Sequence, residues 1–172
     1  MNRQLCLTED GSYTLFNSDI QQHYHSIHGA IGESLHVFIY TGLIPLLDQC
    51  SPLRILEIGL GTGLNALLTE VFTRSHPMVY YSAIEAFPLI HEEIVPLNYQ
   101  EVFSEISNEL LLKIHNIPSD NHYYRIRENF YCKVFHTTLQ QFKFENDVPT
   151  LLDKLDIVAY IEAVEESICV FV

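Results

Sequence analysis

The stretch that decides the fold reads Arg54-Ile55-Leu56-Glu57-Ile58-Gly59-Leu60-Gly61-Thr62-Gly63-Leu64-Asn65-Ala66-Leu67-Leu68. Its apolar run predicts a strand buried on both faces, its three alternating glycines predict a turn, and residues 64–71 predict the start of a helix. Such a turn needs glycine for backbone angles that a side chain would forbid, and so that a ligand can lie against the main chain. The stretch therefore predicts the first βα unit of a doubly wound sheet.

Composition predicts a folded domain. The chain of 172 residues is 48% apolar and 18% charged, which is typical of an ordered globular protein. We expect an N-terminal extension with a helix over residues 1–50 and the main domain over 51–172. The net charge of −13 disfavours non-specific binding to nucleic acid or to an anionic membrane. Arg125, Arg127 and Lys133 are close in sequence, but an ordinary solvated face is the simpler interpretation.

The four cysteines and the hydropathy pattern bear on the compartment. The cysteines form no Cys-x-x-Cys pair, and no signal peptide is recognisable before them. A reducing cytoplasm is the simplest compartment. No apolar run approaches the roughly 20 residues that span a bilayer, so we expect a soluble protein without a membrane partner.

Other segments carry weaker local signals. Spacing, turn formers and prolines predict a hairpin or extended lead-in over 1–22, helices over 31–40, 89–103 and 105–115, strands over 78–85 and 155–161, a strand or hairpin within 123–135 centred on 131–135, a short helix over 137–142 and a β-prone end over 168–172. We expect Gly42 to end the first of these helices, Pro96 to interrupt the second and Ser104 to cap the third.

The alternation of strands and helices predicts a parallel sheet with helices on both faces. Few residues follow the fourth core strand, over 155–161, to cover its outer edge. An uncovered edge strand is a site for self-association.

The glycine loop is not the dinucleotide-binding fingerprint, because Leu64 stands where that pattern needs glycine or alanine. Glu57 precedes the loop, and Glu85 follows the second strand. This is the arrangement of Rossmann-like class I S-adenosylmethionine-dependent methyltransferases, in which Glu85 can accept both ribose hydroxyls. The alternative interpretation is a tight strand-to-helix turn without a ligand, although three glycines weaken a helix start by about 1 kcal/mol each.

Two further groups of residues are weaker candidates. His23, His25 and His28, with Glu33, suggest a metal site, but their spacing matches no helical ligand pair, and we expect no metal. Glu33 is equally consistent with a solvated glutamate and with a role near the cofactor.

Glu162 falls at the carboxyl end of the fourth strand, where ligands bind in open α/β sheets. It could orient or deprotonate an amine, or simply end a strand.

Three groups of residues together resemble the methyltransferase domain of the MnmC tRNA-modification enzymes. They are Tyr24-His25-Ser26 with Gly29-Ala30 and Glu33-Ser34-x-His36-Val37-Phe38, the stretch from Ile55 to Asn65, and Ile84-Glu85-x-Phe87-Pro88-Leu89. The resemblance runs from about residue 8 to about residue 161 and is strongest to the stand-alone form of the enzyme.

The resemblance implies S-adenosylmethionine as cofactor and methylation of the aminomethyl group on the wobble uridine of certain tRNAs. It implies that Gly59, Gly61 and Gly63 line the cofactor loop with Glu57 beside them. It also implies that Glu85 binds the ribose, and that the N-terminal segment with Tyr24, Ser26 and Glu33 lies near the cleft.

The sequence departs from the family pattern after Tyr160. Glu162 occupies the position of the family's catalytic aspartate, the proline that follows is missing, and the later strands have no counterpart before Val172. A shift of about 1 Å in a catalytic group can cost on the order of 10²-fold in rate. Two hypotheses follow: a tRNA methyltransferase with Glu162 as its catalytic residue, or a truncated, inactive remnant that serves as a binding or assembly module.

Overall fold

The computed structural model describes residues 1–143, 157–161 and 168–171. In chain order its strands are β1 (Arg3–Leu7), β2 (Tyr13–Asn17), β3 (Gln22–His23), β4 (Leu53–Ile58), β5 (Val79–Ile84), β6 (Tyr124–Arg125), β7 (Phe130–Phe135), β8 (Ile157–Ile161) and β9 (Ile168–Phe171). Its α-helices are α1 (Ala30–Glu33), α2 (Leu64–Phe72), α3 (His91–Ile94), α4 (Tyr99–Val102) and α5 (Asn108–His115). A π-helix (Ser34–Leu43) and a 3₁₀ helix (Ile44–Leu46) continue directly from α1.

The main sheet has six strands in the order β6-β7-β5-β4-β8-β9. Strands β7, β5, β4 and β8 run parallel, which confirms the parallel sheet predicted from the alternating elements. The strand order reverses between β4 and β8. In open α/β sheets, ligands bind beside such a reversal, outside the carboxyl ends of the strands.

The outer strand β9 pairs antiparallel with β8. The expectation that the fourth core strand lies uncovered is therefore wrong, because the β-prone end over 168–171 forms the next strand. At the other edge, β6 and β7 form a hairpin, one of the two alternatives predicted for residues 123–135, with Tyr124 opposite Cys132.

The main core lies on one face of this sheet. Leu53 and Ile55 of β4 pack there with Leu64 and Leu67 of α2 and with Phe38 of the π-helix. A smaller apolar cluster on the sheet contains Leu56, Ile84, Phe135 and Phe142. Helices on both faces stay a prediction, since residues 144–156, which join β7 to β8, lie outside the described residues.

The N-terminal segment forms a separate three-stranded antiparallel sheet in the order β1-β2-β3, so of the two predicted alternatives it is the hairpin that forms. Leu15 of β2 and Ala30 of α1 are nonetheless buried in the same core as β4 and α2. In the part of the chain that the structure describes, no helix is long and apolar enough to cross a membrane.

Three local predictions need correction. The helix predicted over 31–40 is mostly a π-helix that runs through Gly42 to Leu43. The cap of α5 is Ser107, whose side chain accepts a hydrogen bond from the Leu110 N–H, so the helix begins three residues later than predicted. Residues 137–142 form a turn closed by Thr138 instead of a helix. Phe142 nevertheless packs edge-on against Phe135, with ring centroids 4.9 Å apart.

Candidate active site

The glycine loop between β4 and α2 adopts backbone angles that favour glycine. Gly59, Gly61 and Gly63 all have positive φ, at 90°, 54° and 77°. A Cβ on Gly61 would lie 3.0 Å from Cδ1 of Tyr24, and a Cβ on Gly63 would lie 3.1 Å from Nε2 of His115. The loop therefore needs its glycines for two reasons, backbone conformation and close approach.

Glu85 follows β5 directly and turns its carboxylate toward this loop. Its Oε2 accepts the Gly61 N–H at 2.8 Å, and its Oε1 accepts the Phe87 N–H at 2.7 Å. A carboxylate has about four lone-pair sites. With two of them occupied, one on each oxygen remains for a diol such as a ribose. The structure thus brings Glu85 and the loop together, as the sequence predicted.

Glu57 lies beneath the loop and is fully buried. Its Oε2 accepts from the Tyr81 hydroxyl at 2.8 Å, and its Oε1 accepts from Asn65 Nδ2 at 3.1 Å. Burial raises the pKa of Glu57 to about 8, although these two hydrogen bonds lower it in part. The carboxyl group links β4, β5 and α2, so its contribution to a ligand site comes through the position of the loop.

The N-terminal segment forms the other side of the loop. The Tyr24 ring lies next to Gly61, and burial raises the pKa of its hydroxyl. The Ser26 N–H donates to Glu33 Oε2 at 2.8 Å. Glu33 is therefore not simply a solvated side chain, because its carboxylate fixes the turn that follows Tyr24. Burial also raises the pKa of Glu33.

Two histidines that sequence reasoning did not connect with the loop contact Thr62, one at its hydroxyl and one at its backbone carbonyl. His25 Nε2 shares a hydrogen bond of 2.8 Å with the Thr62 hydroxyl. His115 Nε2 donates to the Thr62 carbonyl oxygen at 3.2 Å. These contacts join residues 37 and 53 positions apart. No local pattern could have indicated them, because their partners meet only in the folded chain.

We expect acid to destabilise this loop through His25. Burial lowers the pKa of His25 from 6.5 to about 4, so the unfolded chain binds a proton in this window that the folded chain does not. Stability therefore falls as pH decreases from 6.5 toward 4, by about 3 kcal/mol for this group. Denaturant unfolding should show that the free energy of unfolding decreases more between pH 7 and pH 4 in the wild type than in His25→Gln. Equal losses in the two proteins would contradict the assignment.

The remaining histidines of the predicted metal group point elsewhere. The ring of His23 packs at a tilt against Phe16, with centroids 4.7 Å apart, while Nδ1 of exposed His28 lies 3.1 Å from Glu9 Oε1. Within the described ranges no group of three or more His, Cys, Asp and Glu side chains could hold a metal ion.

The predicted catalytic residue, Glu162, lies outside the described residues. It follows β8, whose carboxyl end lies at the same sheet edge as the glycine loop, since Tyr160 pairs with Ile58.

The parallel strand order, the glycine turn after β4 and the acid after β5 define a Rossmann-like methyltransferase fold. No protein-family model and no curated protein matches the sequence. Among solved structures, the chain is similar to that of MnmC2 from Aquifex aeolicus, with a TM-score of 0.60 and 28% sequence identity. The chain thus carries an MnmC methyltransferase-like domain, as the resemblance predicted.

The aligned region is a large part of this chain but a smaller part of the MnmC2 chain. The match covers 78% of this chain and 42% of the MnmC2 chain. The chain therefore spans about two fifths of the length of the MnmC2 chain.

Proposed function

We propose that this domain is an S-adenosylmethionine-dependent methyltransferase that methylates an exocyclic amine, the aminomethyl group of a wobble uridine in tRNA. The observation that carries the cofactor assignment is the contact between Glu85 and the Gly61 N–H at the carboxyl end of β5. The similarity to MnmC2 supports the methyltransferase class. The tRNA substrate is supported by the resemblance to the MnmC enzymes, and the charge of −13 does not favour it.

The residues present fit this cofactor. The loop offers main chain without side chains at three positions, so a ligand can lie against Gly59 and Gly61. Glu85 keeps acceptor capacity for two ribose hydroxyls. Only 9% of Glu85 is exposed, so hydrogen bonds formed there are shielded from water.

When bound, S-adenosylmethionine supplies a methyl group on a positively charged sulfur. The protein itself binds the cofactor and the substrate, orients them toward each other and excludes water from the reacting atoms. Such positioning accounts for most of the acceleration in reactions of this kind. Tyr24 would form one wall of the cofactor site, and the segment from Glu85 to Pro88 would form another. We assign Glu162 to orient the amine or to accept its proton.

Replacing Glu85 by alanine should weaken cofactor binding at least about tenfold, because two hydrogen bonds to hydroxyls are lost together. Titration calorimetry with S-adenosylmethionine and S-adenosylhomocysteine measures this effect. Glu92→Gln is the matched control, since Glu92 is an exposed acid on nearby α3. If the wild type binds neither compound, the cofactor proposal is wrong.

The substrate is tested separately. A methyl-transfer assay should show turnover on tRNA that carries the aminomethyl group, and sedimentation in parallel should report the oligomeric state. Turnover by a monomer would contradict the inactive-remnant hypothesis. Cofactor binding without turnover on this tRNA would contradict the proposed substrate.

A further inference from the structure

Arg3 on β1 reaches across to the loop that follows Glu85. Its Nη2 donates to the Phe87 carbonyl oxygen at 2.5 Å, and its Nη1 pairs with Glu93 Oε2 at 2.9 Å. Only 5% of the Arg3 side chain is exposed. A guanidinium so buried and bonded through both terminal nitrogens is held in one place.

Both backbone polar groups of Phe87 are therefore occupied. Its carbonyl accepts from Arg3, while its N–H donates to Glu85 Oε1 at 2.7 Å. Pro88 follows and restricts the backbone angles of Phe87 further. The second oxygen of Glu85 accepts the Gly61 N–H. A continuous chain of contacts thus runs from Arg3 through Phe87 to Glu85 and the glycine loop.

Arg3 also lies beside Tyr24, in the N-terminal segment that packs against the glycine loop. Its guanidinium carbon lies 5.8 Å from the centroid of the Tyr24 ring, which itself lies against Gly61. Glu93 in turn accepts the Ile90 N–H at 3.0 Å and so ties Arg3 to the start of α3. One side chain from the N-terminal hairpin therefore contacts both the segment after Glu85 and the Tyr24 ring.

We propose that Arg3 is a positioning residue that holds the Glu85 carboxylate, by way of the Phe87 backbone, in the orientation needed to bind the cofactor ribose. This inference rests on the proposed function. Arg3 would not touch the cofactor, and it would act by limiting the orientations of Glu85 before the ligand arrives. Such preorganisation raises affinity by reducing the entropy lost on binding.

The N-terminal hairpin has a second anchor to the rest of the domain. This anchor allows the positioning role of Arg3 to be separated from the general attachment of the hairpin. Asn98 accepts the Tyr13 N–H at 2.7 Å and donates to the Gly11 carbonyl at 2.9 Å. Asn98→Ala removes this anchor and leaves the contact between Arg3 and Phe87 in place. It is therefore the matched control for Arg3→Ala.

Two measurements test the proposal. In the ligand-free protein, NMR amide exchange at Phe87 and Gly61 should accelerate at least about tenfold in Arg3→Ala and stay within about twofold of wild type in Asn98→Ala. In calorimetry, Arg3→Ala should raise the Kd for S-adenosylmethionine about tenfold, and Asn98→Ala should change it less than about twofold. Arg3→Lys, which keeps one charge but not the fork, should fall between wild type and Arg3→Ala and serves if the alanine variant does not fold.

Unchanged exchange at Phe87 in the Arg3 variants would overturn the proposal, and so would equal losses of affinity in Arg3→Ala and Asn98→Ala. If the wild type binds no S-adenosylmethionine, the proposed function fails and the ribose role of Arg3 fails with it. The exchange measurement would still report whether Arg3 orders the Glu85 loop, so the two failures are distinguishable.

Discussion

Replacing Gly61 by valine is expected to weaken S-adenosylmethionine binding by on the order of 100-fold. The backbone at Gly61 has φ of 54°, a conformation that a β-branched residue adopts only with strain of about 1–2 kcal/mol. The added Cβ would also meet Tyr24 Cδ1 at 3.0 Å, and the remaining valine atoms extend beyond it. The ring or the loop must move, and the Gly61 N–H then loses its alignment with Glu85.

Gly11→Val is the matched control for this change. Gly11 has φ of 85° in the turn between β1 and β2, and a Cβ there would meet nothing within 4 Å. The Gly11→Val variant reproduces the backbone strain without a new contact at the glycine loop. The affinity of this variant for the cofactor should therefore stay near that of wild type. Calorimetry measures the affinities, and thermal unfolding shows that each variant is folded. A folded Gly61→Val protein with wild-type affinity would exclude the loop as the cofactor site.

Replacing Glu57 by glutamine is expected to stabilise the protein by about 3 kcal/mol at pH 7. The folded pKa of about 8 lies above the ordinary value of 4.5, so the folded chain keeps a proton that the unfolded chain releases. The stability associated with Glu57 is therefore fully present below pH 4.5 and is lost as pH rises toward 8. Glutamine is neutral in both states and avoids this loss.

The glutamine side chain also suits the site. It can still accept from Tyr81, and its amide can donate to Asn65 Oδ1 once the Asn65 side chain turns over, because Asn65 Nδ2 is the atom that faces Glu57. Leaving a buried polar atom unpaired costs about 1–3 kcal/mol. Glu57→Ala should instead destabilise, because it leaves a cavity and removes the acceptor for Tyr81.

Denaturant unfolding from pH 5 to pH 8 measures the Glu57 effect. The difference between Glu57→Gln and wild type should grow with pH, whereas Glu128→Gln, at an exposed acid, should show no such trend. His25 makes the free energy of unfolding decrease as pH falls below 6.5, which is opposite to the effect of Glu57. The difference in free energy of unfolding between each variant and wild type therefore isolates the Glu57 effect better than the wild-type pH profile alone. A difference that shrinks as pH rises would contradict a neutral Glu57 in the folded state.

Two misplaced predictions share a physical cause. Ser107, and not the predicted Ser104, caps α5, whose Leu110 and Leu111 are buried in the core. Residues 137–142 have helical spacing, but they form a single turn whose Phe142 packs against Phe135. In both cases, packing overrides a weak local preference.

The sequence by itself determined the β4–loop–α2 unit, the parallel direction of the core strands and the position of Glu85 at the carboxyl end of β5. Those features follow from local apolar periodicity and from backbone angles that glycine favours, which are properties of neighbouring residues. Only the tertiary structure decided what surrounds the loop. Arg3 and Phe87 lie 84 positions apart, and His115 and Thr62 lie 53 apart. Contacts at such separations leave no periodic trace in the sequence, because they depend on how whole elements pack.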